Sequence, residues 1–168
     1  NMGIEQLEKQ TTNNVREKAA LIWGIADQLR GEYKPHEYGK VILPMTVIKR
    51  FDDSLSNTKA EVLKMASELE KRGVSGVAKE AILKKTSGRD FYNISKFDFQ
   101  KLLSDPENIS ANFIDYLQGY SDNVKDIISY FEFDKEIAKM SQNDLLYTII
   151  QEFNRKNADM SPEHVTSQ

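Results

Sequence analysis

Two groups of basic residues are the chain's best candidates for chemistry with a ligand. Lys34, Lys40, Lys49 and Arg50 cluster around one predicted helix, and Lys84, Lys85 and Arg89 form a second group near the loop at 86–90. Ammonium point charges and guanidinium forks in such groups grip phosphate oxygens without reading bases. The same residues also suit an ordinary charged helix surface, with their stems lying over apolar neighbours. Acids offer less. Asp52 and Asp53 adjoin, and adjacent helical side chains point about 100° apart, so the pair does not converge as a hydrolase's two carboxylates must. His36 follows Pro35 in a loop where a turn or cap role fits it, and His164 is the only other histidine. Two separated histidines with no cysteine make no ligand set, so no metal is expected. Gly73-Val74-Ser75-Gly76 follows a helical stretch rather than a strand and reads as a loop between helices. Aromatic residues are plentiful from Phe91 to Phe133, but their spacing follows buried helix faces more closely than a base-stacking platform.

The elements that must position these residues are helical almost throughout. Val15, Ala19, Ile22, Ala26 and Leu29 recur on one helix face, widened by Trp23 and Ile25, with Gly31 placed to end the helix. A second stripe runs Tyr38, Val41, Ile42, Met45, Ile48, Phe51 and Leu55, where Pro44 removes a donor and should kink the helix or reset its start. Thr58-Lys59-Ala60-Glu61 fits a capping box for a helix through Val62, Met65, Ala66 and Leu69 up to Gly73. A shorter helix is predicted over Val77 to Lys85. Ser95 to Asp98 opens another short one, and Asp105-Pro106 is a cap followed by proline ahead of Ile109, Phe113 and Tyr116. Ser121, Asp134 and Ser141 are expected caps for three more, the last carrying Leu146, Ile149, Ile150 and Phe153 inward. Only Phe91 to Ile94 reads as a very short strand. The fold class is therefore all-α, a single globular multi-helix bundle.

Size and charge agree with one domain. At 168 residues and 39% apolar content the chain is long enough for one core. A formal charge of −3 argues against a surface that attracts nucleic acid everywhere. The charge is uneven, however: residues 1–60 hold 9 Lys and Arg against 8 Asp and Glu, leaving 14 against 18 in residues 61–168. Phosphate contacts would thus form a local patch. The longest apolar run, Val41 to Ile48, falls far short of the roughly 20 residues that cross a bilayer, so no membrane is expected. Absence of cysteine gives no sign of an oxidising compartment. Residues 1–12 read as an N-terminal extension beginning with a cloning remnant, residues 13–160 as the helical domain, and residues 161–168 as a helix start, Ser161-Pro162-Glu163, that is cut off.

Three blocks occur in order: Leu21-Ile22-Trp23-Gly24-Ile25-Ala26-Asp27-Gln28-Leu29-Arg30-Gly31, Glu37-Tyr38-Gly39-Lys40-Val41-Ile42-Leu43, and Lys49-Arg50-Phe51-Asp52-Asp53. They resemble the opening of the modification (DNA methyltransferase, M) subunit of type I restriction-modification systems. The likeness continues through Asp90 to Ser95, Asp105 to Ile109, Asn112-Phe113, Tyr116, Gly119 to Val124 and Ile127 to Phe133, and spans about residues 13–168. The resemblance implies a helical domain ahead of a methyltransferase domain that binds S-adenosylmethionine, carries an NPPF motif and methylates adenine N6 in the bacterial cytoplasm. It also implies partners: DNA, a specificity (S) subunit, a second M subunit, and restriction subunits in the cleaving complex. Such an N-terminal domain helps close the assembly around DNA, through phosphates, the opposing M subunit, or both. The family's catalytic and cofactor residues have no matching positions here, for no G-x-G turn and no adjoining prolines occur. This fragment alone is therefore expected to bind no cofactor and catalyse nothing. The competing reading is a stand-alone helical adaptor whose apolar groove takes a partner's helix; a small hydrolase is the weaker third.

Overall fold

The computed structural model describes residues 3–155; within the first helix the side chains of residues 7, 8, 10–12, 14 and 15 lie outside the description. Among the described residues the α-helices are α1 (Ile4–Leu29), α2 (Gly39–Leu55), α3 (Lys59–Lys71), α4 (Gly76–Ser87), α5 (Phe99–Leu102), α6 (Ile109–Gln118), α7 (Asp122–Tyr130), α8 (Asp134–Gln142) and α9 (Leu146–Phe153). Single 3-10 turns at Pro35–Glu37, Ser56–Thr58 and Pro106–Asn108 join some of them. The expected strand reduces to one antiparallel bridge, Asn93 with Tyr120. The all-α class holds. The truncated helix from Ser161, and His164, lie outside the described residues.

The core is organised by α9, which packs against α1, α2, α6 and α8. Its Leu146, Ile149, Ile150 and Phe153 are all buried, each stabilising the fold by about 1.5–3 kcal/mol. A smaller cluster of Val62, Leu69, Leu83 and Tyr92 joins α3 to α4. The turn between those helices needs Gly73 at φ +71°, so that the Val74 amide can reach back to the Leu69 carbonyl at 2.9 Å.

α1 begins at Ile4 and runs unbroken past residue 12. Its buried face is Leu21, Ile25 and Leu29, while Ile22 is 48% and Trp23 70% exposed. Leu29 and Ile25 are buried as expected, whereas Ala19 and Ile22 of the expected face are exposed and Ala26 is half-buried; Val15 lies outside the described side chains. Branched aliphatics at i, i+4 and i+8 bury more carbon than a stripe containing two alanines. α2 keeps Pro44 inside a continuous helix, so the proline resets nothing; the lost donor belongs to the carbonyl of Lys40, an exposed residue that water can serve. Thr58 forms no capping box. Its hydroxyl bonds the Ser87 carbonyl at 3.2 Å instead. Ser141 likewise lies inside α8, and Leu145 precedes α9.

Candidate functional site

α2 and the turn after α4 carry the basic candidates, and the two segments touch. Phe51, the residue after Arg50, packs edge-on against Phe91 with ring centroids 4.9 Å apart, and Arg89 lies two residues before Phe91. Ser87 fixes that turn, its hydroxyl reaching the carbonyls of Arg89 and Phe91. The C-terminal part of α2 therefore neighbours the turn that carries Arg89.

Their side chains have different fates. Lys34, Lys40, Arg50 and Lys85 are exposed. Lys40 lies 3.9 Å from Glu37, and Lys84 lies between Glu80 at 3.8 Å and Asp90 at 3.7 Å. Arg89 is half-buried. Lys49 departs from the expected surface role: it is only 6% exposed. Its ammonium pairs with Asp53 at 2.8 Å, reaches Asn154 Oδ1 at 3.4 Å and lies 5.1 Å from the centre of the Phe99 ring. A charge buried with these partners is held inside the fold.

Behind this surface lies a buried polar network that the sequence pattern did not reveal. Asp52 accepts a hydrogen bond from the Tyr116 hydroxyl at 2.8 Å, and Tyr116 in turn bonds the Tyr120 hydroxyl. The adjacent acids thus serve different partners, as their divergence on a helix requires. Lys59, also buried, donates to Asn93 Oδ1 at 3.0 Å, and Asn93 holds the Tyr116 carbonyl through its amide nitrogen at 3.0 Å. Burial pushes the Asp52 carboxyl up to about 6, against the opposing pull of the Tyr116 hydrogen bond and the Lys49 charge. Burial likewise brings Lys59 down to about 8, with Asp52 and Asp98 resisting. Both lysines and both adjacent acids line a cavity of about 150 Å³. Among the described residues no group of three or more His, Asp or Glu could hold a metal ion, and no helix is long and apolar enough to cross a membrane. His36 is exposed within the Pro35–Glu37 turn.

The one mark of this close packing in the sequence is Gly119, set between Tyr116 and Tyr120. A Cβ on Gly119 would stand 2.6 Å from the Ser95 amide nitrogen and 2.7 Å from Asn93 Oδ1. That glycine is present because the two segments approach so closely, and the Ile94 amide bonds its carbonyl at 2.8 Å.

A second concavity, of about 260 Å³, opens between α1, α2 and α9 with an apolar lining and Arg50 at its edge. No curated protein and no solved structure matches the chain. A family model does, the HsdM N-terminal domain, over residues 18–153. That match takes in the lining of both cavities except Asn154, and it begins within α1 and ends with α9. The chain belongs to this family, the N-terminal domain of the modification subunit of type I restriction-modification systems.

Proposed function

We propose that the chain is the non-catalytic clamp and assembly domain of an S-adenosylmethionine-dependent DNA adenine-N6 methyltransferase. The family match over residues 18–153 is the observation that carries this reading. In it, the methyl donor and the adenine are held by a downstream catalytic domain, and DNA sequence is read by the S subunit. The domain's own part is to meet DNA phosphates, and through them to close an assembly of two M subunits and one S subunit, joined by restriction subunits in the cleaving complex. The place of action is the bacterial cytoplasm.

Lys34 and Lys85 are the leading phosphate contacts, because both are exposed and neither ammonium pairs with a carboxylate among the described residues. Lys40 and Lys84 would first have to leave Glu37, Glu80 and Asp90, and Arg89 lies at the end of the same turn. Contacts of this kind position a duplex and carry no sequence information. Calorimetric titration of the 168-residue chain with S-adenosylmethionine tests the division of labour. No binding is expected; micromolar binding would contradict it. The competing adaptor reading is told apart by the coding sequence downstream of Gln168, where an NPPF motif decides for the methyltransferase.

A further inference from the structure

Arg50 is the one exposed basic candidate whose surroundings are mainly carbon. Leu21, Ile22 and Ile25 of α1, Ile42 of α2 and Phe153 of α9 line the 260 Å³ cleft beside it. Arg50 is its exposed charged lining residue, and no carboxylate lines it among the described residues. Ile22 of the lining is itself 48% exposed. Apolar patches with a polar rim mark protein–protein contacts.

We propose that this cleft docks an acidic amphipathic helix of a partner protein. An apolar side chain of that helix fills the space between α1, α2 and α9, and its flanking carboxylates meet Arg50. Charge complementarity selects this occupant. A duplex backbone would satisfy Arg50 but leave the aliphatic lining against phosphate, gaining nothing from its burial. A basic or neutral helix would fill the lining and leave the guanidinium opposed or unpaired. The inference goes beyond phosphate contact and does not depend on it, since neither Lys34 nor Lys85 lines the cleft.

Binding is read by calorimetric titration. The probe is a synthetic helix of about five turns, with leucines at i, i+4 and i+7 flanked by glutamates. Two controls replace the glutamates by lysine or the leucines by serine. The acidic peptide is expected to bind the 168-residue chain with heat that saturates at one peptide per chain. The lysine peptide should bind about tenfold more weakly, as fits the loss of one charge-assisted contact, and the serine peptide should not bind. Arg50→Glu, an exposed change that leaves the core intact, should reverse the charge preference. Ile22→Asp should abolish binding of both leucine peptides while circular dichroism stays unchanged. Equal binding of the acidic and basic peptides, or no binding of the acidic one, would overturn the proposal. So would displacement of the peptide by duplex DNA, or sedimentation showing that a second copy of the chain occupies the cleft.

Discussion

Lys49 and Arg50 are neighbours on α2 with opposite environments: the Lys49 ammonium is buried 2.8 Å from Asp53, while the Arg50 side chain stands exposed at the edge of an apolar cleft. A rotation of about 100° between consecutive helical residues separates a structural charge from one available to a partner.

Removing Lys49 leaves Asp53 in a mostly buried place with its lysine gone. Lys49→Met is expected to cost about 3 kcal/mol, the scale for breaking a buried ion pair from one side. Arg50→Glu should stay within about 0.5 kcal/mol, as exposed substitutions do. Urea denaturation of both variants checks the contrast; equal losses would show that Lys49 is not structurally committed.

Asp52 sets a pH dependence in the acid range. Its carboxyl is raised from 3.8 to about 6 in the folded protein, so between those values the folded state holds a proton that the unfolded state has released. Stability from this group is full below about pH 3.8 and is lost as pH rises through 6. The span corresponds to at most about 3 kcal/mol. Asp52→Asn keeps an acceptor for Tyr116 and should flatten the stability profile across this window. A profile unchanged by the substitution would rule out Asp52 as its source.

Lys59 acts in the alkaline range with the opposite slope. Its folded value is lowered from 10.5 to about 8, so the unfolded state binds more protons between those limits and stability rises with pH there. Lys59→Gln should remove that rise. Denaturation midpoints measured from pH 7.5 to 10.5 decide it, with a persisting rise pointing to another group.

Gly119→Ala should be costly because the new methyl would meet the Ser95 amide nitrogen at 2.6 Å, and backbone cannot swing aside as a side chain can. A loss of about 2 kcal/mol or more is expected. Gly31→Ala, with nothing within 4 Å of its added Cβ, should be near neutral. Thermal unfolding compares them, and similar melting temperatures would refute the close approach.

Local pattern carried the fold further than the site. The 3,1,3 spacing of Leu146, Ile149, Ile150 and Phe153 marks a buried face that α9 indeed has, because burial of apolar carbon dominates and is written into spacing. Caps were less legible: Thr58 and Ser121 have the right residue types, yet their hydroxyls serve Ser87 and Asn123. Ser87 lies 29 residues away and Asn123 offers its side-chain oxygen, and a local rule does not weigh such partners against the cap. The same limit hid the site. Lys49 looks like any surface lysine until Phe99 and Asn154, from remote segments, close over it. Lys59, Asn93, Tyr116 and Tyr120 are joined only by folding, so no spacing announces their network.

The most direct test of the clamp reading is salt-dependent DNA binding by the complete M and S assembly, with and without Lys34→Glu and Lys85→Glu. Affinity should fall equally on duplexes with and without the recognition site, and the slope of log K against log salt should flatten by about 1 for each lost phosphate contact. Unchanged affinity and slope, or a loss confined to the recognition-site duplex, would contradict it.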